Sequence, residues 1–212
     1  MAVTPGHTGD AVVAGGTRSF PTRVVPPVEL PASTSYLAGA AAQQLGWKGV
    51  VLPEVTMLGR RVCVVARLRT DVHAERIACG LGPVTDRTTV ATWTWPEFAM
   101  TAPAPAAEIV GVLSVARHWR TAMAATAPFA RYADAAMVLP TPALLTKDYV
   151  DNCLPRARRH GLSIVSADPE AAVALDLEAT REQLLLPQDA VWRWINEMVY
   201  EQLLASYDLP VG

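Results

Sequence analysis

The clearest pattern in this chain is an alternation of short apolar runs with mixed stretches between Glu108 and Glu178. Ile109–Val115, Ala135–Pro140, Leu162–Val165 and Ala172–Leu177 are runs of strand length, each with a Gly, Pro or charged residue at one end or both. Between them, Arg117–Thr126 and Cys153–His160 have the mixed polarity of surface helices, and Gly161 supplies a helix stop. Strand–helix–strand alternation predicts an α/β domain with a mixed sheet.

The first half is read the same way. Ser33 or Thr34 can cap a helix through Tyr36, Leu37, Ala40, Ala41 and Gln44, with Gly46 just past its end. Val50–Leu52 and Val62–Leu68 read as a strand pair, with a turn at Leu58-Gly59-Arg60 before the second. Asp71–Ile77 reads as a short helix or loop, and Gly80, Gly82 and Pro83 break the chain. Thr88–Trp95 alternates Val90, Thr92 and Thr94 with Ala91, Trp93 and Trp95, which predicts a strand; Pro103 and Pro105 make Thr101–Ala107 a loop.

Leu184–Leu186 and Pro187 introduce a last helix, Gln188–Tyr207, with an apolar stripe of Val191, Trp192, Ile195, Met198, Val199 and Leu203. Arg193, Glu197 and Glu201 are expected on its wet side, and Asn152 is expected to cap the helix before Gly161. Trp192 and Trp194 lie two residues apart on this helix, and since each residue turns about 100° they cannot share one direction, so one is expected at the core edge or at a contact with another chain. The organisation expected is a Pro/Gly-rich arm over 1–31, an α/β domain over 32–186, and a helix and tail over 187–212 that pack on the domain or on a partner.

Composition narrows the function classes. Charged residues are 18% of the 212, below the globular average of about 25%, which accords with an Ala/Val-rich composition that dilutes the charges or with extra buried or partner-covered surface. The net charge of −2 argues against a dedicated nucleic-acid binder, which usually carries a basic domain or stripe. The three cysteines, Cys63, Cys79 and Cys153, have no CxxC spacing, against both a disulfide framework and a cysteine zinc site. With no leader pattern and no apolar run of about 20 residues, the expectation is a soluble cytoplasmic protein without membrane contact. GxxxxGK[ST], HExxH and GxSxG are absent, and Gly80-Leu-Gly82 lacks the third glycine of a dinucleotide site, so no cofactor is implied.

Three groups of residues resemble a known family: Val115-Ala-Arg-His-Trp119-Arg, then Arg131-Tyr-Ala-Asp134 followed by Ala135–Pro140, then Arg158-Arg-His-Gly161 leading to Asp168. Over about residues 108–178 the chain resembles the restriction-endonuclease-like (PD-(D/E)xK) superfamily. The resemblance implies a mixed-sheet nuclease core whose metal strand supplies an acid, a spacer and a lysine. Aligned on Trp119, those positions hold Gly111 and Leu113, and the upstream acid is Glu97 after Pro96. A second register takes Glu54 after Pro53, with Val65-Ala66-Arg67 in place of acid-x-lysine. Either register gives one acid, and phosphodiester hydrolysis needs carboxylates that hold a divalent ion. The site is therefore expected to be degenerate, with no catalytic and no metal-binding residue. Glu54, Glu97 or Glu108 remain the acids of an alternative, atypical nuclease.

His73 and His118 lack neighbouring ligands in sequence, and Cys153 lacks a histidine at short spacing. Arg117, Arg120, Arg131, Arg158 and Arg159 would support DNA-backbone binding if they converged on one face. These arginines, with Trp192 and Trp194, are also the residue types that anchor protein contacts. The expectation is a non-catalytic binding, structural or regulatory subunit, with a protein partner or self-association and with DNA association open. The alternatives are the atypical nuclease and a homo-oligomeric scaffold.

Overall fold

The structure is a computed structural model that describes residues 28–179 and 189–207. The expected arm falls outside the described residues up to position 27, as does the 184–187 segment expected to introduce the last helix. What is described is one α/β domain: a mixed, open, seven-stranded sheet with helices on both faces.

Helix α1 (Thr34–Gln44) begins where the Ser33 hydroxyl accepts the Tyr36 amide at 3.3 Å. It ends at Gly46, whose φ of +69° favours glycine. Strand β1 (Val50–Val51) and strand β2 (Val55–Met57) lie along the same edge of β3 (Arg60–Leu68), both antiparallel to it. The β2–β3 hairpin turns on Leu58 (φ 51°) and Gly59 (φ 70°), two consecutive left-handed residues whose twist matches the strands. Helix α2 (Thr70–Ala78) follows.

Antiparallel to β3 runs β4 (Ala107–Val115), with Val65 opposite Gly111 and Cys63 opposite Leu113. From β4 the chain crosses through α4 (Trp119–Thr126) to β5 (Asp134–Pro140), parallel to β4. A short α5 (Thr141–Leu144), a π-helical turn Tyr149–Cys153 and α6 (Leu154–His160) lead to β6 (Leu162–Ala167), parallel to β5. Gly161 closes α6 in the left-handed conformation, as its sequence position predicts. Strand β7 (Val173–Leu177) pairs antiparallel to β6, and α7 (Ala190–Tyr207) closes the described chain.

Alternation along the strands sorts the core into two faces. Leu37, Ala38 and Ala41 of α1 pack on Cys63, Val65, Leu113, Val115, Ala136 and Val138. On the other face, Ile195, Val199 and Leu203 of α7 cover Val62, Val64 and Val112, while α4 and α6 cover β5 and β6.

Three local expectations are corrected. Thr88–Trp95 is not a strand: Arg87–Thr92 forms helix α3, and turns continue to Thr101. The Asp86 carboxylate accepts both the amide and the hydroxyl of Thr89 at 2.7 Å, and the hydroxyls of Thr92, Thr94 and Thr101 each donate to a carbonyl three residues back. Local side chain–backbone bonds thus win over the strand preference of Thr, Val and Trp. Asn152 does not cap α6: it lies inside the π-helical turn, and its amide donates to Asp148 at 2.9 Å. Arg193 and Glu197 are not on a wet face of α7; both are buried, and only Glu201 of that trio is exposed. A long-range guanidinium, Arg76, overrides the helical periodicity there by pairing with Glu197 at 2.7 Å.

Candidate functional site

The position at which the resemblance puts a metal-binding acid is closed by an indole. A Cβ built on Gly111 would lie 2.5 Å from Cζ3 of Trp47 and 2.6 Å from two further ring atoms, so Trp47 occupies the space a side chain would need. Leu113, at the lysine position, is fully buried under α1.

The three acids that sequence nominated are placed apart. Glu54 is half-buried and pairs with Arg61 across the β2–β3 hairpin at 2.6 Å. Glu97 is exposed on the turns after α3, because the Trp-rich segment before it is helical. Glu108 accepts from Arg67 across β3 and β4 at 2.5 Å. Among the described residues no group of three or more His, Cys, Asp or Glu side chains is arranged to hold a metal ion.

The nominated arginines do not converge. Arg117 and Arg120 follow the carboxyl end of β4, whereas Arg131 precedes the amino end of β5 and Arg158 and Arg159 precede that of β6. These strands are parallel, so the first two and the last three stand at opposite edges of the sheet. Arg131 donates to the Tyr132 hydroxyl at 2.5 Å and lies 3.6 Å from Asp189. Trp192 stacks on Tyr132 with ring centroids 4.9 Å apart, and Trp194 donates to the Thr85 carbonyl at 2.8 Å beneath Arg87. Both tryptophans are half-buried in contacts within the chain.

His73 and Tyr200 share a hydrogen bond of 2.7 Å between Nδ1 and the hydroxyl. Cys153 is buried under α6, and His118 precedes α4 without capping it. At the start of α4 the Trp119 indole donates to Asp148 at 2.8 Å, and Arg120 pairs with the same carboxylate at 2.9 Å. Those two contacts hold the Asp148 carboxyl below the usual carboxylate range.

Two of the nominated residues, Glu54 and Arg120, do share one cavity. It is a cleft of about 610 Å³ between the β2–β3 hairpin and α4. Its polar lining is Glu54, Arg60, Arg61, Ser114, Arg120 and Thr121. The remainder is small and apolar, with Val115 and Ala116 at one end and Ala124 and Ala125 along α4. A second pocket of about 580 Å³ lies on the far side of the α4 start, between His118, Trp119, Pro142 and Val28. Sequence reasoning missed Trp47, Arg60, Arg61 and Ser114. The paired arginines after the Gly59 turn were the available signal for the cleft, whereas Ser114 is hidden within an apolar run.

Fold and site together define a single α/β domain with a mixed sheet and a cleft beside its first parallel crossover. Comparison with protein-family models, with curated proteins and with solved structures gives no match to this chain. No helix among the described residues is long and apolar enough to cross a membrane.

Proposed function

We propose that this domain acts by binding, as a structural or regulatory subunit on a nuclease-like scaffold that does no nuclease chemistry. The observation that carries this reading is Trp47 over Gly111. The strand position from which a carboxylate would reach a metal ion has no room for a side chain. Metal-assisted phosphodiester hydrolysis needs ligands fixed at that point.

A protein partner is better supported than nucleic acid. Backbone recognition of DNA depends on several cations acting on one face, and the five arginines are divided between two edges. By contrast, Trp95, Phe98 and Met100 are all exposed on the turns after α3, with the Trp95 and Phe98 rings 6.2 Å apart. Exposed aromatics of this kind are frequent anchors at protein interfaces. The same turns favour a second reading, a homo-oligomeric scaffold.

Incubation of the full chain with single- and double-stranded DNA in Mg²⁺ or Mn²⁺, beside a binding titration at two salt concentrations, tests the proposal. The expected result is no metal-dependent cleavage. Cleavage that disappears in Glu54→Ala or Glu97→Ala would replace this reading with the atypical nuclease. Salt-weakened binding without cleavage would move DNA association to the front. Light scattering at high concentration separates the scaffold reading, since a clean monomer rejects it.

A further inference from the structure

We propose that the cleft between the β2–β3 hairpin and α4 binds a small organic anion. Its oxyanion would sit against the Ser114 hydroxyl and the Arg60 and Arg61 guanidiniums, and its apolar body along Ala124 and Ala125.

The first argument is an accounting of hydrogen bonds. Seven polar or charged residues are buried among those described: Arg76, Ser114, Thr126, Ser163, Arg193, Asn196 and Glu197. Six have hydrogen-bonded side chains: Arg76 with Glu197, Thr126 to a carbonyl one turn back, Ser163 from the Ala179 amide, Arg193 to the Pro103 carbonyl, and Asn196 to the Trp192 carbonyl. Ser114, only 5% exposed, has no such bond within the described protein. Its hydroxyl is not sealed in, and the residue lines the cleft. The hydroxyl therefore keeps its hydrogen-bonding capacity for water or for a ligand that enters the cleft.

Charge gives that partner its sign. Three arginines, Arg60, Arg61 and Arg120, line the cleft against a single acidic residue, Glu54. Glu54 pairs with Arg61 at 2.6 Å, whereas the Arg120 guanidinium pairs at 2.9 Å with Asp148, which lines the second pocket. Arg60 makes no ion pair among the described residues. A guanidinium of this kind offers a planar pair of donors suited to carboxylate or phosphate.

Position and size give the class. Val115 and Ala116, at the carboxyl end of β4 where parallel α/β sheets place their ligands, line the cleft. Arg120 and Thr121 belong to the first turn of α4, whose dipole favours negative charge there. A volume of about 610 Å³ falls within the range of small-molecule sites.

Calorimetric titration of the full chain at low ionic strength with phenyl phosphate and with benzoate, and with benzyl alcohol as the uncharged control, tests the proposal. At least one of the two anions is expected to bind, and the better one identifies the head group. Ser114→Ala and Arg60→Gln should each weaken it by about tenfold, the loss of one hydrogen bond to a charged group. Arg158→Gln, at the opposite edge of the sheet, should leave it unchanged. Ser114→Ala removes a hydroxyl that makes no hydrogen bond among the described residues, so its melting temperature should hold, and the exposed Arg60→Gln carries the test if it does not. Three outcomes overturn the proposal: no binding of either anion at millimolar concentration, equal binding of benzyl alcohol, or affinity unmoved by both cleft substitutions. None of these involves metal or DNA, so this test fails or succeeds independently of the nuclease assay.

Discussion

Arg76 of α2 and Glu197 of α7 meet in a two-pronged ion pair, 2.7 Å from Nη1 to Oε1 and 2.8 Å from Nη2 to Oε2, with both side chains 2% exposed. The remaining capacity of both groups is used locally. Arg76 also donates to the carbonyl of Gly82 at 2.7 Å, and Glu197 accepts the Val84 amide at 2.9 Å. One buried pair therefore ties α2, α7 and the segment before α3 into a unit, and that segment leads to the exposed aromatic turns.

Removing one partner leaves the other charge buried and alone. Arg76→Ala and Glu197→Ala are each expected to cost about 3–5 kcal/mol in urea unfolding followed by tryptophan fluorescence. The joint replacement Arg76→Met/Glu197→Leu should recover most of that loss, because an apolar pair avoids the desolvation of both ions. A double replacement as unstable as the sum of the single ones would show that the two residues do not act as a pair.

The Trp47–Gly111 contact predicts a different signature. Gly111→Ala forces the indole away from β4 and is expected to cost about 1–3 kcal/mol, as overpacking does. In a Trp47→Ala background the same change should cost much less, since the atoms at 2.5 Å and 2.6 Å are gone. A double-mutant cycle by denaturant titration measures this coupling, and additive costs would refute the contact.

These two contacts also mark where sequence stops being informative. The second-half strands were legible because each is an apolar run closed by Gly, Pro or a charge, and α1 and α6 because Ser33, Gly46 and Gly161 obey local capping rules. The Leu58-Gly59 turn is local in the same way. Trp47 over Gly111 and Arg76 with Glu197 join positions far apart in the chain, and nothing at either position announces the other. Helical spacing alone puts Glu197 in water; only the fold brings it a guanidinium. The Thr88–Trp95 reading failed differently, since the Asp86 cap and the threonine hydroxyls determine the local conformation and alternation does not register them. For the cleft, Glu54 and Arg120 were nominated singly, but their meeting depends on the crossover that lays α4 beside the hairpin.

The cysteines should divide sharply by reactivity. Burial, and secondarily the charge of Glu54, pushes the Cys63 thiol up to about 12. Burial, with Asp148 and Asp176 adding to it, pushes Cys153 up to about 12 as well. Cys79 is exposed just past α2. Since the thiolate is the reactive form, Ellman's reagent at about pH 8 should titrate Cys79 quickly in the native protein and reach the other two only after denaturation. Cys79→Ser should abolish the fast phase; a fast phase that survives would mean that one of the buried thiols is accessible.

Acid stability should carry the imprint of Asp148. The Trp119 indole and Arg120 hold its carboxyl below the usual range, with Asn152 adding a third donor. A folded-state value depressed below the unfolded one stabilises the protein at pH above the ordinary carboxylate range. That contribution fades as pH falls through the depressed value. Asp148→Asn should therefore melt below the wild type at neutral pH, and the gap should close as both are taken into acid. Asp86, held low by Thr89, keeps its own contribution in both proteins, so an acid limb should persist in the variant. Melting temperatures from about pH 2 to pH 7 measure the gap directly. Added salt should narrow it at neutral pH, because the Arg120–Asp148 pair is solvent-exposed. A gap that stayed constant across the whole range would assign the loss to packing around Trp119 and not to the charge on Asp148.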